Sequence, residues 1–155
     1  EEVLEMSEHG IDRGLTHIAL TVRDLQKSIE FYTKYAGMLV VHQREDVPGK
    51  GVAGLSDLTR SFMVTLLTSD YKDRLSWPSH LGVAVSSREE VERLASLARE
   101  EGCLQGGPEQ RGPNVGYIAW VADPDGNTIE ISHGQQIDSK IAEYLKTHFP
   151  NRSEA

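Results

Sequence analysis

The 155-residue chain has one cysteine, Cys103. A lone thiol excludes an internal disulfide framework and suits a reducing compartment. The chain also lacks a basic excess: 16 Lys and Arg stand against 24 Asp and Glu, a formal net charge of -8. That balance speaks against a nucleic-acid footprint or an anionic membrane as partner. No apolar run approaches the roughly 20 residues of a membrane-spanning helix. The amino terminus does not start with methionine, Met6 being a candidate native start, and residues 1–9 lack the basic and apolar regions of a secretory signal. The expectation from these absences is a soluble, cytoplasmic protein with a small-molecule partner, of a length suited to one domain.

What is present is organised around three short strands. In Leu15-Thr16-His17-Ile18-Ala19-Leu20-Thr21-Val22, alternate residues point to opposite faces. Ile18, Leu20 and Val22 form an apolar face, and His17 lies on the other among smaller residues. Ser79-His80-Leu81-Gly82-Val83-Ala84-Val85 repeats the arrangement, with His80, Gly82 and Ala84 opposite Leu81, Val83 and Val85. In Thr128-Ile129-Glu130-Ile131-Ser132 the carboxylate stands opposite two isoleucines. Two imidazoles and one carboxylate on such faces read as a divalent-metal site, with positions left over for water or substrate.

Residues 1–13 are polar, aperiodic and read as a flexible arm. After the first strand, Asp24 is a helix cap, Leu25, Ile29, Tyr32 and Ala36 recur at helical spacing, and Gly37 ends the helix. Met38–Arg44 reads as a strand, Pro48-Gly49-Lys50-Gly51 as a break, Val52–Leu55 as a short strand and Ser61–Thr68 as another. Asp70–Pro78 is a connection. The order then restarts. The His80 strand leads into a helix opened by Ser86-Ser87-Arg88-Glu89-Glu90, with Val91, Leu94, Ala95 and Ala98 as its buried stripe and Gly102 at its close. Cys103–Asn114 is glycine- and proline-rich, a loop or a weak, bulged strand. Val115–Ala122 is a strand, Asp123-Pro124-Asp125-Gly126 a tight turn, and the Glu130 strand follows. Ile137, Ile141, Ala142 and Leu145 mark a terminal helix.

The chain thus reads β-α-β-β-β twice, and an internal repeat outranks individual propensities. The fold class is α+β: two tandem βαβββ modules, about 14–70 and 79–134, within one domain of residues 14–134, followed by a helix and tail at 135–155. Helices that follow only the opening strands lie on one face and leave the other to curve around a cavity.

Three stretches carry a family resemblance: Leu-Thr-His-Ile-Ala-Leu-Thr-Val-Arg-Asp-Leu-Gln-Lys-Ser-Ile-Glu-Phe-Tyr, Ser-His-Leu-Gly-Val-Ala-Val and Ala-Asp-Pro-Asp-Gly-Asn-Thr-Ile-Glu-Ile. In these the chain resembles the vicinal oxygen chelate superfamily, which holds glyoxalase I, extradiol dioxygenases, fosfomycin-resistance enzymes and bleomycin-resistance proteins. The resemblance implies a cupped mixed sheet around one divalent ion (Fe, Mn, Ni, Co or Zn), with His17, His80 and Glu130 as ligands. It also implies Trp120 and Thr65 as pocket residues and a homodimer. With no second carboxylate at the site, the candidate catalytic base is Glu130 itself or metal-bound hydroxide. The superfamily's fourth ligand position falls on Thr65 or Leu66, depending on register. The function implied is a metal-dependent glyoxalase-like lyase or isomerase acting on a small chelating metabolite. The alternatives are an extradiol-type Fe(II) dioxygenase and a ligand-sequestering protein of the bleomycin-resistance kind. Among other groups, His9 and His148 lie in polar ends, His42 on a strand edge, and His133 close behind Glu130. Arg44, Arg60, Arg88 and Arg111 are cations available to an anionic substrate, none singled out by pattern.

Overall fold

The computed structural model describes residues 17–60, 62–71 and 73–150, and the amino-terminal arm with His9, Leu15 and Thr16 lies outside them. The chain divides between Arg74 and Leu75 into two compact units. The first holds β1 (His17–Val22), α1 (Leu25–Ala36), β2 (Leu39–Val47), β3 (Lys50–Ser56) and β4 (Met63–Thr68). Its sheet runs β1-β4-β3-β2, parallel between β1 and β4 and antiparallel elsewhere. The alternation in β1 holds: Leu20 and Val22 are buried while His17 and Ala19 are exposed. The Asp24 carboxylate accepts the Lys27 amide at 3.1 Å. Gly37, at φ 61, ends α1 with its amide on the Tyr32 carbonyl. Leu25, Ile29, Phe31, Tyr32 and Tyr35 form the buried stripe of α1.

Gly51 corrects one expectation. It continues β3 opposite Glu45 instead of breaking the chain, so β2 and β3 are longer than their patterns suggest. A Cβ at Gly51 would lie 2.0 Å from the Arg44 carbonyl oxygen, so a close backbone approach requires glycine there.

The second unit holds β5 (Leu81–Ala84), α2 (Arg88–Glu100), β6 (Leu104–Arg111), a single helical turn α3 (Gly112–Val115), β7 (Gly116–Ala122), β8 (Thr128–His133) and α4 (Ile137–His148). Its sheet runs β5-β8-β7-β6, again with first and last module strands parallel. Ser87 caps α2 by accepting the Glu90 amide at 3.1 Å. Val91, Leu94, Ala95 and Ala98 are buried as their spacing predicts. The Gly/Pro-rich run forms β6 with two register irregularities, because pairing with β7 overrides weak strand propensity. The His80 strand is shorter than predicted, and His80 lies just before it. Helix α4 forms where its apolar spacing predicts, yet none of its residues is buried.

The duplication extends to fine detail. In each unit the edge strand bulges at the same place: between Val40 and His42 opposite Leu55 and Gly54, and between Leu104 and Gly106 opposite Val121 and Trp120.

Candidate functional site

In the second unit β8 lies between β5 and β7, with Glu130 paired to Gly82 on one side and Trp120 on the other. Strand alternation therefore places Glu130 and Trp120 on one face, and His80, two residues before Gly82, on the same side. Glu130 is only 5% exposed, and a carboxylate so placed needs partners. Gln135 Nε2 donates to Glu130 Oε1 at 2.8 Å. The other oxygen, Oε2, faces His80 Nε2 at 3.6 Å, too far for a hydrogen bond.

The His80 ring is also held from behind. Its Nδ1 lies 2.8 Å from the Pro78 carbonyl oxygen. A carbonyl only accepts, so Nδ1 carries the proton and Nε2 is turned toward Glu130. A nitrogen and an oxygen bound to one ion at about 2.1 Å each stand roughly 3.0–3.6 Å apart. The spacing, the tautomer and the tethered carboxylate all fit a divalent cation.

The turn before β8 aims both groups. Asp123 Oδ1 accepts the Asp125 and Asn127 amides at 2.9 and 2.8 Å, and Oδ2 accepts Asn127 Nδ2 at 2.7 Å. Asn127 Oδ1 accepts the Leu75 amide at 2.9 Å, and the Thr128 amide donates to the Leu75 carbonyl at 2.7 Å. The start of the Glu130 strand is thus pinned to the segment that leads to His80.

A cleft of ≈ 370 Å³ opens on this face, lined by His80, Glu130, Gln135, Trp77, Trp120 and Arg111, with Val115, Ile118 and Ile137 as apolar wall. The Trp120 and Trp77 rings meet edge-on at 5.0 Å, and Trp77 stacks on His80 at 5.8 Å. Gly106 makes room for the indole, since a Cβ there would lie 3.1 Å from Trp120 Cε3. Trp120 Nε1 is buried and has no hydrogen-bond partner among the described residues.

The structure brings together two of the three expected ligands. His17 opens β1 in the first unit, level with Met63 on β4. Among the described residues no three His, Cys, Asp or Glu side chains form a ligand group. Register settles the choice between Thr65 and Leu66. Thr65 pairs with Ala19 and Gly54 as Glu130 pairs with Gly82 and Trp120, so threonine stands in the first unit where glutamate stands in the second. The lining of the cleft comes from the second unit, whereas Thr65 belongs to the first. Sequence reasoning missed Gln135 and Trp77, which lie outside any strand or helix and carry no periodic signal.

A profile of the Glyoxalase/Bleomycin resistance protein/Dioxygenase superfamily matches residues 14–131. The chain is 37% identical over 129 residues to an uncharacterized protein of Pseudomonas aeruginosa, covering 79% of this chain and 90% of that one. It is 32% identical over 123 residues to a lactoylglutathione lyase of Escherichia coli O157:H7, covering 76% and 90%. Among solved structures, a mutant of the fosfomycin resistance protein FosX from Listeria monocytogenes, complexed with Mn(II) and dihydroxypropylphosphonic acid, superposes with a TM-score of 0.63. That match has 20% identity and covers 83% of this chain and 98% of the other.

Proposed function

The chain belongs to the glyoxalase/bleomycin resistance protein/dioxygenase superfamily, and from that premise we propose a divalent-metal-dependent, glyoxalase-like enzyme of the lyase or isomerase type. Its substrate is a small oxygenated metabolite that chelates the ion. The observation that carries this reading is the pair His80 Nε2 and Glu130 Oε2, 3.6 Å apart, each group tethered on its far side. His80 and Glu130 would hold the ion, and the sequence repeat puts His17 forward as the third ligand. Relatives named lactoylglutathione lyase and the Mn(II) complex of FosX support the assignment.

A divalent ion held there would supply polarisation of a substrate oxygen and a lowered pKa for coordinated water. The chain's own groups do the rest. Gln135 keeps Glu130 oriented, the Pro78 carbonyl fixes the His80 tautomer, and the apolar wall of Ile118, Val115 and Ile137 limits water around the substrate. Glu130 is the candidate base for a proton on a carbon beside a chelated oxygen, and to act so its Oε2 would have to leave the ion.

A second reading has its own observation. Thr65 at the position matching Glu130 leaves a three-ligand set, which favours an extradiol-type Fe(II) dioxygenase. Metal content of protein purified without chelator, followed by calorimetric titration, tests both. The expected result is binding at micromolar affinity or tighter, weakened at least tenfold in His80→Ala and Glu130→Gln. Iron retention with oxygen consumption supports the second reading. Absence of divalent-metal binding overturns both and leaves a ligand-sequestering role.

A further inference from the structure

The cleft has a cationic end that the metal reading does not use. Arg111 closes β6 and faces the cleft, its guanidinium 5.2 Å from the Trp120 ring centroid. Its charge is already engaged by a carboxylate of its own strand. Arg111 Nε and Nη2 both donate to Glu109 Oε1, at 2.8 and 2.6 Å, with the two side chains 53% and 44% exposed. An ion pair this open gains little for the fold. Its position at the cleft makes it informative, because it shows that the Nε/Nη2 edge of this guanidinium donates to a carboxylate oxygen there.

A further feature of the same wall faces solvent. Trp77 keeps 60% of its surface exposed beside the cleft, although it is a large apolar ring in contact with both Trp120 and His80. An exposed indole face beside a guanidinium that already holds a carboxylate oxygen is complementary to one kind of molecule.

We infer that the cleft takes a flat, conjugated substrate bearing a carboxylate. Its planar body lies against Trp77, and its carboxylate engages Arg111 by displacing Glu109. Glu109 is an internal competitor that sets the affinity for the anion. This assignment rests on the proposed chelating site, since the oxygens that reach His80 and Glu130 belong to the same substrate.

Benzoate and its neutral isostere benzamide, titrated by ligand-observed NMR into metal-loaded and chelator-stripped protein, separate the two readings. Benzoate can itself coordinate an ion through its carboxylate, so a preference for benzoate in the chelator-stripped protein reports the cationic end alone, even if the metal assignment fails. The wild type is expected to bind benzoate about tenfold more tightly than benzamide. Arg111→Gln removes that preference. Glu109→Gln strengthens benzoate binding by roughly threefold or more and leaves benzamide unchanged. Both variants lie on an exposed strand end, and their thermal midpoints check that the fold is intact. Equal binding of the two probes by the wild type, or a Glu109→Gln effect shared by both, overturns the inference.

Discussion

Gln135 holds one oxygen of Glu130 at 2.8 Å and leaves the other to face His80. Gln135→Ala frees the carboxylate to rotate while leaving the strand intact. Divalent-metal affinity is expected to fall about tenfold or more, the usual range for loss of a group that orients a ligand. Competition with a chromogenic chelator measures it. An unchanged affinity would show that the Glu130 orientation is set by the strand alone.

Asn127 links the turn before β8 to Leu75 through its carbonyl oxygen and is 2% exposed. Asn127→Ala removes the side-chain acceptor of the Leu75 amide and one donor to Asp123. The expected cost is about 1–3 kcal/mol of stability, read as a lower urea midpoint with an unchanged slope.

Gly116 begins β7 at φ +85, and a Cβ there would lie 2.3 Å from the His133 carbonyl oxygen. Backbone cannot yield as a side chain does. Gly116→Ala is expected to cost about 2–4 kcal/mol, combining left-handed strain with a steric clash. Gly134→Ala, also at positive φ but with open space around it, is expected to cost less. Paired denaturation curves give the comparison.

On the opposite face of the same sheet, the Tyr117 hydroxyl donates to the Glu92 carboxylate, and Arg88 stacks over the ring at 4.0 Å. That hydrogen bond, with burial second, raises the phenol pKa above its ordinary 10.0, and Arg88 opposes the shift. The unfolded chain releases this proton near 10, whereas the folded chain holds it to higher pH. This stabilisation is therefore complete below pH 10 and is lost as pH rises through the folded pKa. Tyrosine absorbance titration should show a late-ionising group that Glu92→Gln moves back toward 10.

Much of this architecture was legible because strand and helix periods are written in residue identity. Ile18, Leu20 and Val22 alternate and are the inward residues of β1. Asp24 and Ser87 cap helices by the hydrogen bonds their side chains make best. The Asp123–Gly126 turn and the face of Glu130 follow from the same rules. Other features depend on contacts distant in sequence. Gly51 reads as a breaker until Arg44 is known to pass close beside it. The residues of β6 have poor strand propensity and become a strand by pairing with β7. Gln135 becomes visible only once the chain after β8 turns back toward Glu130. The spacing of Ile137, Ile141, Ala142 and Leu145 predicts α4 but cannot say that Ile137 and Ile141 stay 56% and 54% exposed.

The match between Thr65 and Glu130 also bears on how such a protein changes its chemistry over generations. Doubling a module leaves two copies of one scaffold, and at this strand position only one of them has to keep the carboxylate. The matching position in the other copy is then free to serve shape alone. Threonine fills that lattice point with a small, strand-compatible side chain, so a second carboxylate lies a single residue replacement away.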